Sequence, residues 1–170
     1  DGRVILVHDA SSDARMGPLL KAFAANNSRA VLLENPVNCG FVKTCNRGIA
    51  ASERDVVILN TDITIPHGAI ARLLRRLQSD ADIATVTPFS NAAYCVGLPD
   101  LLYDNRLPFG SNASAVDQAL QALPCMQEIV LPSGIGFCLA MSRASLNGTG
   151  LFDEHFGQGY GEETDFCLRA

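Results

Sequence analysis

The chain has 170 residues, of which 48% are hydrophobic, so it is long and apolar enough to form one domain with a substantial core. Its 13 basic and 18 acidic residues give a net charge of -5, which argues against nucleic-acid binding because no broad basic surface can form. An acidic protein that holds a phosphorylated ligand needs local cations or a bound metal ion, so a metal site is expected.

The six cysteines never occur at a two-residue spacing, so the zinc-ribbon and thioredoxin patterns are missing. Most have apolar neighbours, and we expect small buried side chains in a reducing cytoplasm. No apolar run approaches the roughly 20 residues of a membrane span, and the first residues do not look like a signal peptide. A cytoplasmic location is therefore predicted.

Short apolar runs alternate with helical patterns over the first half of the chain. Four buried strands are predicted, at 4–7, 30–33, 56–59 and 83–86. Three helices are predicted between them, at 16–23, 39–51 and 66–78. Pro66 suits the first turn of the third helix because its missing N–H has no partner there. This alternation implies parallel strands, right-handed crossovers and an α/β fold with ligands at the edge where the strands end.

The second half of the chain is less regular. From residue 88 to about 131, Pro, Gly, Asn and Ser interrupt the pattern, which predicts a loop-rich segment with one short helix near 116–123. An apolar strand is predicted at 135–141, at the edge of the sheet. Further helices are expected to begin near Arg143 and at Glu162.

The loop after the third strand is a candidate metal site. It carries Asn60, Thr61 and Asp62, whose oxygen atoms suit a hard divalent cation that keeps waters and phosphates as its other ligands. Turn and capping roles explain Asn60 and Asp62 at least as well when this loop is considered alone.

Glycine and amide side chains surround the predicted start of the second helix. Asn38, Gly40 and Asn46 lie here, and the N–H groups at a helix N-terminus favour an anion such as a phosphate. Lys43 adds a cation. A polar helix start in which Gly40 only relieves crowding is the competing explanation.

Three carboxylates follow a glycine-rich loop at 157–161. On a helix that starts here, Glu162 and Asp165 share a face whereas Glu163 points elsewhere, and one of the three is a candidate general base. Acidic residues in a first helical turn also complement the helix dipole, so a structural role stays open for at least one of them.

Taken together, these strings resemble the family 2 glycosyltransferases of the GT-A fold, and closely resemble bacterial members that modify cell-surface polysaccharides. The resemblance covers essentially the whole chain. It is carried by Asp9-Ala10-Ser11-Ser12-Asp13, Asn38-Cys39-Gly40-Phe41, Asn46-Arg47-Gly48, Asn60-Thr61-Asp62 and the segments 87–91, 132–138, 150–154 and 159–170.

The resemblance implies a Rossmann-like GT-A sheet flanked by helices, with the family's first strand missing. It implies a single catalytic domain at 1–170, truncated at both ends, with a nucleotide-binding half at 1–87 and an acceptor and catalytic half at 88–170. The implied reaction is inverting transfer of a sugar from a nucleotide-diphosphate-sugar to a hydroxyl of a glycan or lipid-linked saccharide. It would take place in the cytoplasm, at the inner face of the plasma membrane, and a truncated chain is expected to fold without full activity.

The resemblance also assigns roles to individual residues. The nucleotide-sugar contacts that it implies are Asp9, Ser11, Asn38, Gly40, Lys43, Asn46, Asn60 and Thr61. It places a divalent cation, Mn²⁺ or Mg²⁺, at Asp62 and the acceptor at Gly134 and Tyr160. The base carried over position by position is Glu163, where many family members have aspartate, with Asp165 as the second choice and Glu162 as the third.

Two other functions compete with this interpretation. A sugar-phosphate nucleotidyltransferase uses a related sheet and metal-binding carboxylates, but it normally begins with a glycine-rich loop that carries a basic residue, and no such loop is visible here. A non-catalytic nucleotide-sugar-binding fragment would keep the pocket without turnover.

Overall fold

A computed structural model describes residues 2–102, 104–107, 110–124 and 128–170, and it shows the expected mixed α/β fold. The strands are β1 (Val4–His8), β2 (Ala30–Glu34), β3 (Val56–Leu59), β4 (Thr85–Val86) and β5 (Cys138–Met141). The α-helices are α1 (Met16–Ala25), α2 (Phe41–Ala50), α3 (Ala69–Leu77), α4 (Ala113–Gln121), α5 (Arg143–Thr149) and α6 (Glu162–Arg169). A 3-10 turn at Glu154–Phe156 precedes α6.

Most predicted elements are confirmed, several of them with changed bounds. The predicted strand at 83–86 is shortened to the two residues of β4. The prediction that Pro66 opens a helix is wrong, because α3 begins only at Ala69. Gly68 precedes it with φ of 78°, a left-handed conformation that glycine adopts at little cost, so Pro66 lies in the turn before the helix.

The strands form two small sheets. β1 and β2 pair in parallel, from Val4 opposite Ala30 onward. The second sheet has the order β3-β5-β4, and β5 is antiparallel to both neighbours, with Leu59 opposite Cys138. The prediction that the strand at 135–141 lies at the sheet's edge is therefore wrong, because β5 is its central strand.

The core is built on the two faces of β5, all of whose residues are buried. Because successive side chains of a strand point to opposite faces, Leu139 and Met141 pack with α2, α5 and α6, whereas Cys138 and Ala140 pack with α3. On the first face, the rings of Phe152 and Phe166 meet edge to face with 5.8 Å between centroids.

Helix α2 lies against both sheets. Its buried residues Val42 and Ile49 join the core on β5. On the other side, a Cβ atom built on Gly48 would lie 3.3 Å from Val7 Cγ2 of β1, so the helix approaches that strand closely. The last turn of α2 is thereby held close to β1.

The outer sheet is more exposed than the sequence suggests. β1 is half-buried or exposed along its length, so the prediction of a strand buried on both faces is wrong. On α1, which lies against β1 and β2, Leu19 and Phe23 are 60% and 46% exposed. Of the described cysteines, Cys138 is buried as expected, but Cys95 is exposed. None of the helices in the described ranges is long and apolar enough to cross a bilayer.

Candidate active site

Asp9 organises the edge where β1 and β2 end. Its Oδ1 accepts hydrogen bonds from Asn35 Nδ2 at 2.6 Å and from the Cys39 N–H at 2.9 Å, and its Oδ2 accepts from the Gly40 N–H at 3.0 Å. Because parallel strands end at the same edge of a sheet, one carboxylate reaches both the end of β2 and the start of α2. It fixes the turn that opens the helix.

The pKa of Asp9 is lowered from its ordinary value. Burial acts to raise this pKa, but hydrogen bonds from Asn35, the Cys39 and Gly40 N–H groups and Thr44 together outweigh burial. Asp9 is therefore ionised at neutral pH, and its charge is stabilised by the same groups that shape the turn.

The other residues assigned to the nucleotide-sugar pocket have different environments. Asn38 is exposed and donates from Nδ2 to the Asp9 carbonyl at 3.0 Å. Ser11 is exposed in the loop after β1, where its Oγ accepts from the Asp13 N–H at 3.3 Å. Lys43 is exposed on the first turn of α2, and its Nζ lies 3.8 Å from Glu154 Oε2. All three remain accessible to a ligand.

Asn46 is placed differently. It is buried in α2, and its amide makes two hydrogen bonds to the backbone of Phe152, donating to the carbonyl at 2.9 Å and accepting from the N–H at 3.0 Å. Both ends of the side chain are used within the protein. The structure therefore gives Asn46 a part in joining α2 to the segment before α6.

The turn after β3 presents Asn60, Thr61 and Asp62. The Asn60 N–H donates to the Phe137 carbonyl at 2.9 Å, which fixes the start of this turn beside the segment before β5. Asp62 is exposed, and its carboxylate has no hydrogen bond or ion pair within the described residues. Its oxygens are free to bind a ligand.

Helix α6 begins with two adjacent buried carboxyl groups. Glu162 is only 3% exposed, Glu163 is half-buried, and the Oε2 atom of each is buried without a hydrogen-bond partner in the described part of the chain. The pKa of Glu162 is raised, first by burial and then by the charge of Glu163 and a hydrogen bond with it. The two carboxyls therefore act on each other directly.

The Asp165 carboxylate is paired with a cation, Arg169. Its Oδ2 accepts from Arg169 Nε at 2.9 Å, and the same guanidinium donates to the carbonyls of Thr149 and Leu151. Glu162 and Asp165 were predicted to share a face of the helix, but their side chains have different environments: Asp165 is paired with Arg169, whereas the pKa of Glu162 responds to Glu163. Asp165 anchors α6 to the end of α5.

Phe41, in the first turn of α2, lies between the turn that Asp9 holds and the acidic pair Glu162 and Glu163. A Cβ atom built on Gly136 would lie 3.8 Å from both Phe41 Cζ and Glu163 Oε1. A Cβ atom built on Gly159 would lie 3.7 Å from Phe41 Cβ and 3.9 Å from both carboxyl oxygens of Glu162. The acidic pair is therefore beside the first turn of α2, which Asp9 helps to hold.

Gln158 makes a second contact, between the loop before α6 and the start of α2. A Cβ atom built on Gly40 would lie 2.9 Å from Gln158 Oε1, so the glycine leaves room for this amide at the start of α2. Phe41, Gly136 and Gln158 were not singled out as site residues from the sequence. The signal in the sequence was the glycine content of their segments, which allows the backbone to pack close to other groups.

The two residues assigned to the acceptor differ in exposure to solvent. Gly134 is buried, its N–H donates to Cys167 Sγ at 3.3 Å, and a Cβ atom there would overlap Leu139. Tyr160 is 98% exposed in the loop before α6 and has φ of 71°. Gly134 thus packs inside the fold, whereas Tyr160 stands in solvent.

The Asp62 turn and Glu163 both lie near the short segment before β5. Asn60 bonds to the Phe137 carbonyl, and Glu163 lies beside the adjacent Gly136. Throughout the described ranges, no three His, Cys, Asp or Glu residues are grouped to hold a metal ion. A cation at Asp62 would therefore depend on waters and a ligand for most of its coordination.

Comparison with known protein families gives one match. The model of glycosyl transferase family 2 matches residues 1–95, which contain Asp9, the start of α2 and the Asp62 turn. A search of curated proteins found no significant relative.

Proposed function

Because this chain belongs to glycosyl transferase family 2, and so carries a domain for glycosyl transfer between a nucleotide-sugar donor and an acceptor, we propose that it transfers the sugar to an acceptor hydroxyl with inversion. The observation that carries this proposal is the position of Glu163. Its carboxyl group is half-buried, has one unpartnered oxygen, and lies beside the helix start that Asp9 organises.

The donor is proposed to bind at the start of α2. Asn38 and Ser11 offer exposed polar groups and Lys43 offers a cation, whereas Gly40 is buried, with its N–H bonded to Asp9 and Gln158 beside it. The partial positive charge at the N-terminus of α2 favours the diphosphate. Thr61 and Asn60 complete the proposed pocket from the turn after β3.

A divalent cation, Mn²⁺ or Mg²⁺, is proposed to bind at Asp62. The residues present fit such an ion, because one exposed carboxylate without a protein partner, completed by waters and substrate phosphates, is a common arrangement for Mg²⁺. When bound, the ion would offset the negative charge that develops on the leaving diphosphate.

Glu163 is proposed as the general base. It would accept the proton of the acceptor hydroxyl while the hydroxyl oxygen attacks the anomeric carbon from the face opposite the diphosphate. Such a single displacement inverts that carbon. Asp165 is less suited to this role because its carboxylate is already paired with Arg169.

The acceptor is proposed to lie between Gly134 and Tyr160, and to be a glycan or lipid-linked saccharide used in polysaccharide synthesis. We propose that the reaction takes place in the cytoplasm, at the inner face of the plasma membrane. A nucleic-acid acceptor is not proposed, because the net charge of -5 opposes a polyanion.

Calorimetry with a panel of nucleoside diphosphates and nucleotide-sugars, with and without Mn²⁺, tests the donor site. Binding should require the metal and should be lost in Asp62→Asn, whereas Asp82→Asn, an exposed carboxylate away from the site, should bind like the wild type. Metal-independent binding, or equal loss in both variants, would contradict the assignment of Asp62.

Turnover tests the base. With a donor identified by binding, Glu163→Gln should lower kcat by about 10²- to 10⁴-fold and leave donor affinity nearly unchanged, as expected for removal of a general base. Formation of a nucleotide-sugar from a sugar phosphate and a nucleoside triphosphate would instead identify a nucleotidyltransferase. Binding without turnover by any donor would favour a non-catalytic module.

A further inference from the structure

Glu162 and Glu163 follow each other at the start of α6, and no cation in the described part of the chain is paired with either of them. Glu162 is only 3% exposed, and both it and Glu163 have a buried Oε2 atom without a partner in the described residues. Burial of a charged carboxylate without a partner costs several kcal/mol in general, and two such charges in contact also repel each other.

The groups that face Glu162 from the neighbouring elements cannot supply the missing charge. From the glycine loop, Gly159 contributes only backbone near the carboxyl oxygens. From α2, Cys45 faces Glu162, and burial, with a contribution from the Glu162 charge, raises the pKa of this thiol to about 12, so it is neutral. Neither glutamate has an ion pair in the described residues: Arg169 is bonded to Asp165, and Lys43 stands exposed, 3.8 Å from Glu154 Oε2.

We propose, on the basis of the function proposed above, that Glu162 retains a proton at neutral pH and donates it in a hydrogen bond to the Glu163 carboxylate. Glu162 is then a positioning residue and does not itself touch the substrate. One shared proton removes the repulsion between two adjacent carboxylates and leaves a single negative charge on the pair. The raised pKa of Glu162 is in the direction that this arrangement requires.

The shared proton fixes the orientation of the base. With Glu162 donating to one oxygen of Glu163, the other oxygen is the one left to accept the proton of the acceptor hydroxyl. In the transfer step, the hydroxyl oxygen forms the bond to the anomeric carbon and its proton moves to Glu163. The electron pair of the broken bond leaves with the diphosphate, and the proton on Glu162 stays in place.

Carboxyl titration tests the shared proton without any need for turnover. The chain is labelled with ¹³C at the glutamate carboxyls, and each signal is followed by NMR as a function of pH. One glutamate should remain protonated well above the ordinary pKa of about 4.3, and this signal should be missing in Glu162→Gln. If every glutamate titrates near its ordinary value, the proposal is overturned.

The pH dependence of kcat tests the positioning role. Glutamine at position 162 still has an N–H donor for Glu163, whereas alanine has none, so Glu162→Ala should lose about tenfold more activity than Glu162→Gln, the value of one hydrogen bond of about 1.4 kcal/mol. In Glu162→Ala the acid limb of the profile should also move to higher pH, because Glu163 loses a donor that favours its charged form. If the two variants lose kcat equally and the acid limb of the pH profile does not shift, Glu162 only supports the fold.

The two experiments separate this inference from the function on which it rests. A retained glutamate proton without turnover of any donor would argue against the transferase activity and still support the shared proton. Turnover with ordinary titration of every glutamate would overturn the shared proton alone.

Discussion

Replacement of Asp9 by asparagine should destabilise the fold by removing the hydrogen bond from the Gly40 N–H and the charge that strengthens the bonds from Asn35 and Cys39. Asparagine keeps one carbonyl oxygen for Asn35 and Cys39, but its NH₂ group then faces the Gly40 N–H. One lost hydrogen bond to a charged group is worth about 1.5–3 kcal/mol, so the free energy of unfolding should fall by about 2–3 kcal/mol once the weakening of the other two is included.

Urea denaturation measures this loss directly. With a slope of about 2 kcal/mol per molar urea, the midpoint should fall by about 1–1.5 M. Because the folded-state pKa of Asp9 is lowered, its contribution is present above the unfolded value of about 3.9 and is lost as the pH falls through the folded-state value. The difference between the two proteins should therefore shrink in acid.

Asp13→Asn is the matched control. Asp13 lies in the same loop, but its partner is Arg15, which is 89% exposed, so the pair contributes little and its replacement should leave the midpoint within the error of the measurement. If the Asp9 and Asp13 variants unfold at the same urea concentration, the carboxylate of Asp9 does not hold the start of α2.

Three further substitutions test other parts of the site by the same denaturation assay. Gly40→Ala should cost about 1–3 kcal/mol, because φ of 82° is strained for alanine and its Cβ would meet Gln158. Asn46→Ala should cost about 2–4 kcal/mol by leaving two buried backbone groups of Phe152 without partners. Glu162→Gln should become more stable than the wild type as the pH rises above about 4.3. The raised folded-state pKa of Glu162 stabilises the wild type at low pH, and this contribution is lost as Glu162 ionises, whereas glutamine does not ionise.

Each of these variants has a control in the same chain. Gly148→Ala in α5 meets no atom within 4 Å and should not lose stability. Asn147→Ala, on the exposed side of α5, should change it by less than about 0.5 kcal/mol. Glu53→Gln, at an exposed position, should change the free energy of unfolding by less than about 0.5 kcal/mol. A control that behaves like its partner variant would contradict the corresponding structural explanation.

The local elements were predictable from the sequence because each is defined by neighbouring residues. The run Val56–Leu59 is apolar and bounded by polar residues, and it forms β3 with the predicted bounds. The presence of Asp9 and Asp62 in loops after strands also followed from the order of strands and helices. These signals do not depend on distant parts of the chain.

The arrangement of the strands was less predictable. The apolar run at 138–141 indicates a buried strand, but nothing in it distinguishes an edge from a central position or gives its direction. That choice depends on pairing with residues more than 50 positions away, such as Leu59 and Thr85. Likewise, helical spacing put Leu19 and Phe23 on one face of α1 without showing that this face stays partly exposed.

The chemistry of the acidic segment was also only partly predictable. Spacing placed Glu162 and Asp165 on the same side of a helix, but side-chain torsions and the position of Arg169 decide which carboxylates meet. The contact of Glu162 with Glu163 and the place of Phe41 beside them depend on how α6 packs against α2. Such tertiary relations leave no periodic signal in one sequence.

The central place of β5 has a consequence for how the molecule is made. Its neighbours β3 and β4 come from the first 95 residues, yet neither has its partner strand until residue 141 has left the ribosome. During synthesis, the segment that matches the family model therefore cannot complete this sheet, and the growing chain depends on late, long-range pairing to form it.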